Sequence, residues 1–127
     1  MKIKLKKFKI VKSTNDIAIK LIKKNISGPI LITTQRQTGG RGRIGKKWVS
    51  KKGNLFITLF LKLDKIKINY RQFAVLNAFL LKKLISKIVQ KKITIKWPND
   101  LLFNKHKFCG ILQEIIKYDK FSYLIIG

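Results

Sequence analysis

The sequence predicts an α+β fold with one mixed, largely antiparallel sheet and helices packed on one face. Three observations carry this. The chain has 127 residues, 46% of them apolar, which suits the core of one domain and is too short for two ordinary ones. Its apolar runs switch between a period of two and helical spacing. Their order is strand, helix, strand, long loop, strand, helix and then a succession of strands.

Lys2 to Val11 alternates Lys with Ile3, Leu5, Phe8 and Ile10, a strand with one slip of phase. Ser13-Thr14-Asn15-Asp16 gathers N-cap formers. Ile17, Ala18, Leu21 and Ile22 continue as a helix to about Asn25, and Ser27-Gly28-Pro29 breaks it. Ile30 to Thr34 is a β-branched run, hence a buried strand. Residues 36–54 form a long loop, and long loops inside compact domains are usually functional. Leu55 to Leu63 is a strand. Tyr70 to Val89 is the strongest helix, with Phe73, Leu76, Leu80, Leu84 and Ile88 along one face. Ile93 to Trp97 is a strand stopped by Pro98. Leu101 to Phe103, a turn at Asn104-Lys105-His106, and Lys107 to Ile116 form a hairpin. After a turn at Tyr118-Asp119-Lys120, Phe121 to Ile126 is the last strand. There is no repeat, low-complexity tract or linker.

Lys plus Arg number 30 against 5 Asp plus Glu, a formal charge of +25. So basic a chain attracts polyanions non-specifically. Only 4 of the cations are Arg, and there are 21 Ile. Lys and Ile codons are AT-rich, so an AT-rich genome accounts for both excesses without a functional demand. The scatter of the Lys favours that reading, since nucleic-acid readers favour Arg. The single Cys, Cys109, excludes an internal disulfide and points to a reducing, cytoplasmic setting. The start lacks the apolar core of a signal peptide. No uncharged stretch approaches the ~20 residues that span a bilayer, so no membrane association is expected. His106 is the only His and lies in a turn, without metal-ligand spacing to Cys109. No metal ligands are assigned from the residues.

Three segments carry chemistry. Gln37-Thr38-Gly39-Gly40-Arg41-Gly42-Arg43-Ile44-Gly45-Lys46-Lys47-Trp48 combines glycines, whose N–H groups can cradle an anion, with Arg forks suited to carboxylate or phosphate. It lacks the Gly-Lys-Ser/Thr ending of a P-loop and the setting of a dinucleotide fingerprint. A flexible solvated loop or an Arg-Gly nucleic-acid segment stays open on spacing alone. In Lys96-Trp97-Pro98-Asn99-Asp100, Lys96 and Asp100 read either as a charge pair beside the Arg loop or as part of a plain turn. In Lys107-Phe108-Cys109-Gly110-Ile111-Leu112, Gly110 interrupts a strand, often a mark of close approach by a ligand or another backbone.

Together with Ser13-Thr14-Asn15, Gly53-Asn54-Leu55 and Glu114, these segments resemble the catalytic domain of biotin protein ligases over nearly the whole chain. The resemblance implies a biotin/lipoate-ligase fold of class II aminoacyl-tRNA-synthetase type. It also implies a two-step reaction: biotin and ATP give biotinyl-5′-AMP and pyrophosphate, and the biotinyl group then passes to a lysine of a biotin carboxyl carrier protein, an acetyl-CoA carboxylase subunit. ATP and biotin are then substrates, with Mg2+ accompanying ATP. By position, Ser13, Thr14, Asn15, Gln37, Gly40, Arg41, Gly42, Arg43, Lys107 and Gly110 would bind biotin. Arg43, Trp48, Lys96 and Asn99 would hold the nucleotide. Lys107, Asp100 and Arg41 would be catalytic. A homodimer is compatible with the resemblance.

The sequence departs from the family at Lys46, where the loop usually repeats Arg after Gly, so a phosphate contact there loses its fork. Twelve residues before Ser13 leave no room for the helix-turn-helix of repressor-ligases, so sequence-specific DNA binding is not expected. Gly127 looks like the opening of a further family strand, so the expectation is one catalytic domain over residues 1–127, incomplete at its C-terminal side. A lipoate ligase, a basic nucleic-acid-binding module and an inactive fragment are the alternatives.

Overall fold

A computed structural model describes residues 2–63 and 69–127. Strand β1 (Lys4–Val11) leads to helix α1 (Thr14–Lys23), then β2 (Ile30–Gln37), β3 (Phe56–Leu63) and helix α2 (Tyr70–Val89). Five strands follow: β4 (Thr94–Lys96), β5 (Asp100–Phe103), β6 (His106–Gly110), β7 (Gln113–Tyr118) and β8 (Phe121–Ile126). Among the described residues no helix is long and apolar enough to cross a membrane.

The strands fall into two sheets rather than the single one expected. One has the order β1-β2-β3-β8-β7, the other β4-β5-β6. In the larger sheet β1 and β2 are parallel and every other pair is antiparallel, so it is mixed and largely antiparallel as predicted. The chain forms two compact units: residues 2–63 with 112–127, and residues 69–111.

In the first unit, α1 packs against β2, β3, β7 and β8. Ala18 and Ile22 meet Ile30, Ile32, Phe60, Tyr123 and Ile125 in the core. Ser13 caps the helix, its Oγ accepting from the Asp16 N–H at 3.4 Å. Asp16 in the first turn and Lys20 and Lys23 in the last suit the helix dipole. At the other end Asn25 takes a left-handed conformation (φ 58°), and the Ile26 N–H reaches the Leu21 carbonyl at 3.1 Å, a Schellman closure. The phase slip in β1 is visible too: Phe8 packs on the core while Leu5 and Ile10 stand exposed.

In the second unit, α2 packs against β4 and β5. Its boundaries match expectation, but the apolar face that sequence spacing favoured does not bury. Leu80 is 53%, Leu84 55% and Ile88 70% exposed, whereas Ala78 is fully buried. The helix has apolar residues on more than one side, and periodicity alone cannot say which side meets the small sheet.

The second arm of the expected hairpin, Lys107 to Ile116, is also divided. The β6 pairing with β5 ends at Gly110 opposite Asp100. Ile111 then donates its N–H to the Asn99 carbonyl at 2.9 Å. The next residue, Leu112, exchanges two backbone hydrogen bonds with Gly127, at 2.8 and 2.9 Å. One residue thus separates pairing in one sheet from pairing in the other.

Candidate functional site

The glycine-rich loop after β2 has more structure than its composition suggests. The Gly42 N–H donates to the Lys46 carbonyl at 2.6 Å and the Trp48 N–H to the Gly40 carbonyl at 2.9 Å. A β-bridge joins Arg41 and Lys47. The result is a small flap. Its tip carries two left-handed residues, Ile44 (φ 54°) and Gly45 (φ 70°), and Ile44 is almost wholly exposed. Arg43, Lys46 and Lys47 are exposed along it, and Trp48 is half-buried. At the base, Gly40 is buried so closely against Ser50 and the Trp48 carbonyl that a Cβ would collide with both.

The flap stands on a buried polar floor. Ser13, Thr14, Asn15 and Thr58 are all almost inaccessible to solvent. The Thr14 N–H donates to Gln37 Oε1 at 2.8 Å, and Gln37 Nε2 donates to Ser50 Oγ at 3.2 Å. Asn15 Nδ2 donates to Glu114 Oε2 at 2.7 Å, which leaves Asn15 Oδ1 as an acceptor. Thr58 Oγ1 lies 2.6 Å from that oxygen and 2.8 Å from Thr14 Oγ1. A hydroxyl has one proton, so Thr58 gives its proton to Asn15 Oδ1, while the single Thr14 hydroxyl proton faces two acceptors, Gln37 Oε1 at 3.0 Å and Thr58 Oγ1 at 2.8 Å. Every buried side-chain polar atom among the described residues has a partner.

Arg41 closes this network. Its Nε donates to Asp16 Oδ1 at 3.0 Å, and Nη1 and Nη2 donate to the two oxygens of Glu114 at 2.9 and 3.0 Å. Nη2 also lies 3.0 Å from Asp16. The hydrogen bond to Glu114 raises the guanidinium pKa most; burial pulls it down, and the charges of Glu114 and Asp16 raise it further. Arg41 is therefore held in a planar, bidentate fork.

The second unit holds the other expected residues. Lys107 Nζ lies 2.8 Å from Asp100 Oδ2. Asp100 faces Lys96 in the β4–β5 register and Gly110 in the β5–β6 register. Asn99 donates from Nδ2 to the Ile111 carbonyl at 2.7 Å. Lys96 is exposed, and so is Trp97. Burial pushes the Cys109 thiol pKa up, the Asp100 charge adds to this and Lys107 opposes it. The thiol is thus disfavoured as a nucleophile. Among the described residues no group of three or more His, Cys, Asp or Glu side chains gathers as a metal site.

The structure thus brings together Ser13, Thr14, Asn15, Gln37, Gly40 and Arg41 in the first unit, and Asp100, Asn99, Lys107 and Gly110 in the second. Sequence reasoning assigned no site role to Thr58, Ser50, Asp16 or Glu114, although Asp16 stood among the N-cap formers and Glu114 among the residues that carry the resemblance. Two further signals pointed to Thr58 and Glu114. Thr58 is a polar residue at an inward position between Phe56 and Phe60, and Glu114 is the only glutamate in the chain.

The model of the biotin/lipoate A/B protein ligase family matches residues 7–127. The chain belongs to this family. Curated members include the bifunctional ligase/repressor BirA of Bacillus subtilis, 33% identical over 120 residues, or 93% of this chain and 37% of that protein. The biotin--[acetyl-CoA-carboxylase] ligase of Paracoccus denitrificans is 36% identical over 104 residues, covering 80% of this chain and 43% of its own length. The chain therefore spans well under half of these relatives. Among solved structures, a biotin acetyl coenzyme A carboxylase synthetase of Helicobacter pylori with bound biotinylated ATP superposes with a TM-score of 0.80 at 28% identity, covering 98% of this chain and 60% of that one. A biotin protein ligase of Aquifex aeolicus in complex with biotin and ATP gives a TM-score of 0.76 at 29% identity, over 97% and 50% of the two chains. The family fold, a mixed and largely antiparallel sheet with helix packed on one face, is the fold of this chain.

Proposed function

We propose that the protein works in biotin activation and transfer. A biotin carboxylate oxygen attacks the α-phosphorus of ATP, the bond to pyrophosphate breaks, and biotinyl-5′-AMP results. A lysine amine of a biotin carboxyl carrier protein then attacks the activated carbonyl, and AMP leaves. The first step brings two anions together, so its barrier falls mainly through electrostatic positioning.

The observation that carries this reading is the flap with exposed Arg43, Lys46 and Lys47 raised on a buried hydrogen-bonding floor. In this reading Ser13, Thr14, Asn15 and Gln37 are the floor for biotin. The Thr14 N–H is already paired with Gln37 Oε1, the Asn15 amide with Glu114 and the Gln37 amide with Ser50, so biotin must exchange bonds there. The backbone of Gly40 and Gly42, with Arg43, meets the activated carboxyl and phosphate. Trp48, Lys96 and Asn99 serve the nucleotide. Lys107 neutralises the carboxyl and the α-phosphate, and Asp100 orients its ammonium or assists the incoming lysine. Gly110 leaves room for the substrate against its strand.

Magnesium would arrive as the counter-ion of ATP, carried by phosphates and water with at most one or two carboxylates. Asp16, Glu114 and Asp100 are each paired with a cation, so they offer it no ready protein cage. The relatives named for biotin favour that vitamin over lipoate.

The test is formation of labelled adenylate from biotin and ATP by the purified protein. Biotin-dependent adenylate is the expected result. Adenylate formed with lipoate and not biotin, or none with either from folded protein, overturns the reading.

A further inference from the structure

Arg41 lies in the glycine loop, where an arginine is naturally taken for a ligand to the substrate anion. Its surroundings argue otherwise. The chain has 5 acidic residues against 30 basic ones, yet two of them, including its only glutamate, are spent on this one guanidinium. The cluster of Arg41, Asp16 and Glu114 carries a net charge of −1, so it offers an incoming carboxylate or phosphate no net attraction. Turning the fork toward an anion would leave Glu114 and Asp16 half-buried, without their cation, beside a further negative charge. The attachments of the cluster matter as well. Asp16 lies on α1 and Glu114 on β7, while Arg41 is the first residue of the flap and bridges to Lys47 on its return limb. Glu114 also accepts from Asn15, which links the pin to the buried floor.

We propose that Arg41 is the fixed pin of the flap, and that Asp16 and Glu114 are positioning residues that hold it so that Arg43 and Lys46 reach the activated carboxyl and phosphate. This rests on the biotin reading above. Arg41 shapes the site by fixing where the flap stands, and the mobile, ligand-facing part begins at Gly42.

A double-mutant cycle tests this with two readouts. One is trypsin cleavage after Arg43, Lys46 and Lys47 in protein without added biotin or ATP. The other is the release rate of biotinyl-5′-AMP. Glu114→Gln keeps the shape and an acceptor for Asn15 but removes the charge; Asp16→Asn does the same on the helix and guards against a folding defect in the first variant. Each is expected to speed both flap cleavage and adenylate release by about fivefold, the scale of a half-exposed charge pair. Arg41→Ala combined with Glu114→Gln is expected to be no worse than Arg41→Ala alone, because both break one connection. Unchanged cleavage in Glu114→Gln and Asp16→Asn overturns the pin. So does slower adenylate release in them, which would mean a freed guanidinium grips the ligand, or additive losses in the double variant. If the unmodified protein makes no adenylate, the biotin reading fails, and cleavage still decides whether Arg41 pins the flap.

Discussion

Arg41 and Lys107 are each exposed by about a third to two-fifths and each bound to a carboxylate, yet they are built for different work. Arg41 uses both edges of a planar fork on two carboxylates from two elements. Lys107 meets Asp100 through a single point charge on a flexible stem, within one small sheet. A forked guanidinium fixes direction, whereas an ammonium re-aims at little cost. The difference teaches that net positive charge in a segment does not locate the chemistry. On the readings proposed above, the cation with the more permanent charge fixes the flap, and the more adaptable one follows a carboxyl as it becomes an adenylate.

The sharpest challenge to this contrast is Lys107→Ala. Adenylate formation should fall by at least about a hundredfold, as when a transition-state donor is lost, while circular dichroism stays unchanged. Turnover close to that of the unmodified protein would put the two cations on the same footing. Asp100→Asn should cost about tenfold in the same assay, because the ammonium keeps its charge but loses its aim. In the first unit, Thr58→Val removes a proton that Asn15 Oδ1 depends on. It should destabilise the fold by about 1–3 kcal/mol, read as a lower urea midpoint. An unshifted midpoint would mean that the polar floor adds nothing to the first unit's rigidity. The smallest effect concerns Cys109. Because burial and Asp100 hold its thiol protonated, its alkylation at pH 8 should be slower than that of a free thiol and should quicken as pH rises. Asp100→Asn should speed it by about threefold and Lys107→Ala should slow it further, since the two charges act on the thiolate in opposite senses.

Much of the fold was legible from local chemistry. The N-cap at Ser13, the end of α1 at Asn25, the bounds of α2 and the last strand all follow from caps, left-handed stops and period. The division into two sheets was not. Lys107 to Ile116 reads as one strand because its apolar residues continue past Gly110, and only the partners of Ile111 and Leu112 reveal the change of sheet. The exposed stripe of α2 was missed because both sides of that helix are apolar. In the site, glycines and basic residues announced the flap, and the family resemblance named Ser13, Thr14, Asn15 and Gln37, but Thr58 and the pairings that knit the floor stayed hidden. Thr58 lies 44 residues from Thr14 and Glu114 lies 99 from Asn15, and no spacing rule connects such pairs.

The proton shared between Thr58 and Asn15 sits where solvent does not reach. A hydroxyl sealed in this way trades its hydrogen with bulk water slowly, so it should appear as a separate line in a proton NMR spectrum. That line would serve as a built-in moisture gauge: biotin lifting the floor apart would broaden it, and a vitamin settling over an undisturbed floor would sharpen it.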